Sequence, residues 1–174
     1  LPDINIDKVS KSDKVLLVAV IVLLIFQVVL GGWTSTNYAA LSCGEYFPTC
    51  LGQMWPDHMD FNKAFYWGPL GIDYEFGVLE SETRSAIQMA HRIGALVVTS
   101  AILALSFVYR KYPSLKKALF VILSLLSLQV VFGIINVVMS LPMFAAVMHN
   151  AVALALLLSL LYLTHRIFKN NPLI

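Results

Sequence analysis

Apolar residues dominate four stretches of the chain, roughly Val15–Thr36, Ile87–Tyr109, Ala118–Met139 and Met143–His165. At about 1.5 Å of rise per residue, each is long enough to cross the roughly 30 Å of hydrocarbon in a bilayer. Lipid offers a backbone amide or carbonyl no partner outside its own ladder, so each stretch is predicted to be a spanning helix. Arg110–Lys117, with Pro113 as breaker, and Ser140–Leu141–Pro142 join the last three. Connections this short make helices two, three and four antiparallel neighbours. The first apolar run is about twice the length of a signal peptide's apolar core, and no small-residue cleavage site precedes a soluble domain; it is read as a permanent helix. The expected fold is all-α: an integral membrane four-helix bundle over residues 15–169, an N-terminal segment over 1–14, and one long loop over 37–83.

Composition agrees with this pattern. The 174 residues are 59% hydrophobic and 13% charged, with mean hydropathy +0.78, more apolar surface than a small soluble core can hide. The net charge of +2 says little, but its distribution gives an orientation. Lys8, Lys11 and Lys14 precede the first helix; Arg110, Lys111, Lys116 and Lys117 join the second and third; Arg166 and Lys169 follow the fourth. Segments rich in Lys and Arg stay inside. The long loop carries Glu45, Asp57, Asp60, Asp73, Glu75, Glu80 and Glu82 against Lys63 alone, which places it outside and both termini inside. The expected setting is a bacterial inner membrane, with the loop facing the periplasm or its equivalent, lipid all round and no nucleic acid partner.

That outer loop is dense in aromatic and turn residues, among them Tyr46, Phe47, Pro48, Trp55, Pro56, Phe61, Phe65, Tyr66, Trp67, Pro69, Gly71, Tyr74 and Phe76. Disordered linkers do not have this composition. Amphipathic rings favour the interface, so the loop is expected to lie over the outer end of the bundle as a cap. Both cysteines, Cys43 and Cys50, fall in it. An oxidising compartment favours a local disulfide; a metal site would need further ligands, with His58 the one obvious loop candidate. A redox-active version of the pair stays open.

The two helical hairpins repeat one another weakly. The first helix reads Gln27-Val-Val-Leu-Gly31 and the third Gln129-Val-Val-Phe-Gly133; the second carries Met89-Ala-His91 and the fourth Val147-Met-His149. Such a duplication is parallel, about an axis along the membrane normal, so matching residues share one depth. His91 and His149 then lie roughly 6–10 Å below the outer interface, at one level. An ionisable group inside a span is a functional hypothesis by default. Two imidazoles at equal depth in a four-helix bundle suit the two axial positions of a haem iron; the plainer alternative is that each hydrogen-bonds across helices. Gly31, Gly32 and Gly133 would let a flat ring approach the backbone, and Gln27 and Gln129 could orient an imidazole N–H. Arg92 and Arg84 are natural partners for outward-pointing propionates, with lipid phosphate as the alternative. His165 and His58 read as solvated or interfacial.

These residues resemble the haem A synthase family. The matching segments are Gln27-Val-Val-Leu-Gly-Gly-Trp-Thr-Ser-Thr-Asn-Tyr-Ala-Ala-Leu-Ser-Cys43, Phe47-Pro-Thr-Cys-Leu-Gly-Gln-Met-Trp-Pro56, His91-Arg-Ile-Gly-Ala95, Gln129-Val-Val-Phe-Gly-Ile-Ile-Asn136 and His149-Asn-Ala-Val-Ala153. They run through most of residues 26–155, and the Gly-Gly-Trp to Cys stretch is specific. Members usually hold two four-helix halves, and this chain resembles the second half of the proteobacterial type. The resemblance implies an oxidoreductase that converts a methyl group of haem O to the formyl group of haem A for terminal oxidase biogenesis. It also implies a histidine pair in each half, mapping here onto His91 and His149. One half holds the substrate haem, the other a structural or electron-transferring haem b.

One position departs from the family pattern. The catalytic half places a glutamate three residues before its first histidine, where this chain has Gln88. An amide cannot take up or release a proton as a carboxylate does. The haem b half is therefore the expectation, with catalysis in a partner half, supplied by a second four-helix half or a homo-oligomer. Two other functions fit the same residues: a four-helix b-type electron-transfer cytochrome, and a haem-free membrane assembly subunit.

Overall fold

A computed structural model of the chain describes residues 9–64 and 79–170. Four helices carry it: α1 (Lys11–Thr36), α3 (Ser81–Tyr109), α4 (Lys116–Val138) and α5 (Met143–Asn170), with a single-turn α2 (Phe61–Ala64) in the loop and a 3-10 turn, Pro113–Leu115, leading into α4. Among the described residues there is no strand, only an isolated bridge between Cys50 and Gln53. All four long helices are apolar and long enough to cross a membrane, and the chain is an integral membrane protein. Lys8, Asp73 and Glu75, and the loop aromatics from Phe65 to Phe76, lie outside the described residues.

Local chemistry sets the ends. Ser10 caps α1, its side chain accepting from Asp13 N at 3.2 Å, with the Asp13 carboxylate in the positively polarised first turn. At the far end Asn37 closes the helix, Nδ2 donating to Trp33 O at 2.8 Å. Pro113 stands at the first position of the 3-10 turn, where it loses no backbone bond.

The helices pack as two antiparallel hairpins, α1 with α3 and α4 with α5; α1 then meets α5 and α3 meets α4. This closed order sets α3 and α5 at opposite corners. Large apolar side chains such as Val22, Phe26, Leu96, Phe120, Phe144 and Leu154 point outward, as lipid-facing residues should.

The interior divides into two layers. In the half that includes Leu17, Val20 and Leu24 of α1, Ile102 and Leu105 of α3, Ile122 and Leu126 of α4, and Leu156, Leu160 and Leu163 of α5, aliphatic side chains form one continuous core. That core stops at Leu24, Val98, Leu126 and Leu156. Beyond it, toward the loop, the same inward stripes carry Gln27, Gly31 and Thr34; Arg84, Gln88 and His91; Gln129, Gly133 and Asn136; and His149.

Helix α3 differs from its sequence expectation: it begins at Ser81, not Ile87. Its first turns contain Thr83, Ser85 and Gln88, too polar to be read as part of a span, yet all three are buried. The loop buries them. Ala39 and Ala64 pack on Ala86 and Ile87, Cys43 and Cys50 on Met89, and Ser85 Oγ donates to Ser42 O at 3.0 Å. Arg84 is accordingly within the helix, and His91 lies more than two turns from its start. Trp33 Nε1 donates to Ala64 O at 2.8 Å, and Asp60 Oδ1 accepts from Asn62 N and Lys63 N at 3.0 and 3.2 Å, capping α2. The described part of the loop is a folded cap over this end of the bundle.

The opposite end is held by a cluster that sequence patterning did not reveal. Asp13, 6% exposed, accepts from Tyr112 OH at 2.5 Å and pairs with Lys111 at 2.8 Å; its carbonyl accepts from Tyr109 OH at 2.9 Å. The hydrogen bond to Asp13 raises the Lys111 pKa above the ordinary lysine value. Because the folded value is the raised one, the Lys111 contribution is complete below the ordinary value and is lost as pH rises through the folded value. Tyr112→Phe, which removes the hydroxyl that bridges Asp13 and Ser10 N, should lower stability by about 1–3 kcal/mol, since it leaves a buried carboxylate short of a donor. Thermal unfolding in detergent measures this, and Tyr162→Phe on the exposed face serves as the neutral control.

Candidate functional site

Each histidine sits in a clasp built from the partner helix of its own hairpin. A glutamine and the glycine four residues later fall on one helix face, and the imidazole lies against both. In the first hairpin Gln27 Nε2 is 3.0 Å from His91 Nδ1 and donates to His91 O at 3.0 Å. The ring packs over Gly31, where a Cβ would stand 3.2 Å from His91 Cε1. In the second, Gln129 Nε2 is 3.2 Å from His149 Nε2, and a Cβ at Gly133 would stand 3.1 Å from His149 Cε1. Each imidazole is thus gripped at one ring nitrogen. Nε2 of His91 makes no hydrogen bond among the described residues, and Nδ1 of His149 is buried without a partner.

The two clasps occupy different corners of the bundle, on α3 and α5. Around them lie buried polar atoms with no partner among the described residues: Gln27 Oε1, Gln88 Oε1, Gln129 Oε1 and Asn136 Oδ1, together with Arg84 Nε and both Nε and Nη2 of Arg92. Native interiors leave few such groups unsatisfied. Their concentration in the half of the bundle nearer the loop, beyond the aliphatic core, makes this polar layer the candidate site.

Arg92 holds the cap. Its Nη1 donates to Thr49 O at 2.7 Å and its guanidinium lies over the Phe47 ring at 5.9 Å. Thr49 adjoins the disulfide between Cys43 and Cys50, whose Cα atoms are 4.4 Å apart and which is fully buried. The bond removes both thiols from metal binding, and no cluster of three or more potential metal ligands occurs among the described residues. His58 and His165 are exposed. Gly32 does not join the clasp: it faces away, with nothing within 4 Å of where its Cβ would be.

Two residues of the site escaped the sequence reading. Gly94 is one: a Cβ there would collide with Gln27 Oε1 and stand 3.1 Å from Leu30 Cδ1. Gly94 is what admits the Gln27 amide between α1 and α3, and the signal was its position three residues after His91, on the flank of α3 that meets α1. The other is Asn136, seven residues after Gln129 and so on the same stripe of α4.

The chain matches the cytochrome oxidase assembly protein family over residues 3–161. It is 42% identical over 150 residues to the haem A synthase of Shewanella oneidensis, a match covering 85% of this chain and 44% of the relative. It is 25% identical over 150 residues to the haem A synthase of Flavobacterium psychrophilum, covering 84% of this chain and 41% of that protein. With the haem A synthase of Wolbachia pipientis wMel it shares 25% identity over 155 residues, covering 89% and 40%. The chain spans less than half the length of each of these curated relatives. No solved structure matches it significantly.

The clasp geometry separates the glycines. Gly94→Ala must displace the Gln27 amide and should cost about 1–3 kcal/mol, whereas Gly32→Ala, in open space on a helix, should be neutral or stabilising by up to about 1 kcal/mol. Parallel thermal unfolding of the two variants checks the difference.

Proposed function

The chain belongs to the cytochrome oxidase assembly protein family, the haem A synthase family that its motifs resemble, and on that footing we propose that it is a haem-holding four-helix half of a haem A synthase unit. His91 and His149 are its axial iron ligands. One observation carries the reading: the same clasp occurs twice, glutamine at one ring nitrogen and glycine under the ring, on helices at opposite corners, and each imidazole keeps a nitrogen uncommitted. A hydrogen bond across helices explains why a glutamine meets a histidine. It does not explain why Nδ1 of His149 and the oxygens of both glutamines are buried without a partner among the described residues, a costly arrangement with nothing to receive them.

The residues fit a haem on other grounds as well. The aliphatic core ending at Leu24, Val98, Leu126 and Leu156 gives a floor for a macrocycle, and Gly31 and Gly133 make room for the two imidazoles. Gln27 and Gln129 act as positioning residues: each presents its amide NH2 to one ring nitrogen, and ligation through the other nitrogen would require the amide to turn so that its oxygen accepts the ring N–H. When bound, the iron would supply one-electron transfer, with the ligand pair and its hydrogen bonds setting its potential. The cofactor assigned is haem b, with haem O and haem A as substrate and product of the wider unit. Gln88, at the position where the family's catalytic half carries glutamate, cannot exchange a proton, which supports placing the methyl oxidation in another four-helix unit, either a second half or a second copy of this chain. The capped end, poor in Lys and Arg, is assigned to the periplasmic side of a bacterial inner membrane, with the disulfide consistent with that oxidising side.

Chain purified in detergent after expression with ample haem should show a low-spin bis-imidazole b-type spectrum. Both His91→Ala and His149→Ala should abolish it while the protein remains folded. Wild-type chain without a Soret band would overturn the assignment, and a bis-imidazole spectrum that survives either substitution would overturn the ligand pair.

A further inference from the structure

The loop-side half of α3 presents two cations, Arg84 and Arg92. Gln88 and Arg84 lie one and two turns outward from His91 on the same stripe, and Arg92 lies on its flank toward the cap. Neither arginine pairs with a carboxylate among the described residues, whose ion pairs all belong to Lys63 and Lys111. Yet Arg84 Nε and Arg92 Nε and Nη2 are buried without acceptors. A guanidinium withdrawn from water needs an anion or a set of carbonyls, and Arg92 has only the carbonyls of Thr49 and Pro48, both on Nη1. Between the two cations Gln88 is 4% exposed and neutral, so nothing on the stripe cancels their charge.

Placement narrows what they are for. Arg92 adjoins the histidine level and Arg84 stands about 12 Å further out along the helix axis. Together the two positions bracket the space just beyond the imidazoles, on the cap side. We infer that Arg84 and Arg92 are the receptors for the two carboxylates of the porphyrin, holding it with its propionate edge toward the cap, and that Gln88 is an amide there so that both positive charges stay available. The inference rests on the haem reading. Planar guanidinium donors suit carboxylates in two-point contact, and the contact of Arg92 with Thr49 links the porphyrin edge to the disulfide-closed loop.

The test compares two porphyrins on the unmodified full chain. Haem-free protein in detergent is titrated with haem b and with its dimethyl ester, which keeps the iron and macrocycle but carries no carboxylate. Haem should bind at least about tenfold more tightly than the ester, the factor expected for losing one charge-assisted contact, with the same bis-imidazole spectrum from both. Gln88→Glu places a carboxylate between the arginines and should shrink that preference, as should Arg84→Gln, each without changing the spectrum of bound haem. Equal affinity for the two porphyrins, with the bis-imidazole spectrum intact, overturns the carboxylate site and leaves the histidine ligation standing. Failure of both porphyrins to give that spectrum overturns the haem reading and this inference with it.

Discussion

A polar side chain in a membrane-spanning helix has only one sheltered direction to face, the interior of its own bundle. Lipid enforces the helices by denying their backbones any other partner, and by the same denial it sorts their side chains. The aliphatic residues are free to look either way, so Val22, Phe120 and Leu154 face out while Leu17, Ile102 and Leu160 face in. The glutamines, the histidines and the arginines of the outer half have no such freedom. Their convergence into one polar layer follows from where they fall along four helices, and so the place of that layer was set by the same force that built the fold.

Within that polar layer the pairing of glutamine with histidine is repeated in both hairpins. Gln27 and Gly31 serve His91 as Gln129 and Gly133 serve His149, within the like segments Gln-Val-Val-Leu-Gly and Gln-Val-Val-Phe-Gly, although the two amides meet different ring nitrogens. The first clasp is the tighter, since Gln27 also reaches the His91 carbonyl and depends on Gly94; the second has no such additional bond. The hairpins are alike in what they hold and unlike in how firmly they hold it.

The parts legible in the sequence are those governed by one dimension. Span number and character followed from apolar run length, and the glutamine, glycine and histidine register followed from spacing within single helices. The start of α3 was not legible: Thr83, Ser85 and Gln88 look like loop residues, and only the fold of a cap some forty residues earlier in the chain makes them interior. Gly32 looked equivalent to Gly31, but one residue along a helix is a turn of 100° and sends it to the other side. The tie among Asp13, Lys111 and Tyr112 joins residues about a hundred positions apart, and no periodicity announces it. Gly94 lay in plain view within a quoted motif, but its purpose depends on the side chain of Gln27 from another helix.

The continuous aliphatic core below the polar layer has an electrical consequence. From Leu17 to Leu24 it is about 10 Å deep, closed at its end by the Asp13 cluster, and lined mainly by aliphatic side chains, interrupted by the buried hydroxyl of Ser106. In such a low-dielectric layer a lone charge is very costly, so it acts as an insulating layer. A charge admitted to the polar half from the loop side would meet this barrier before it could reach the other end of the bundle.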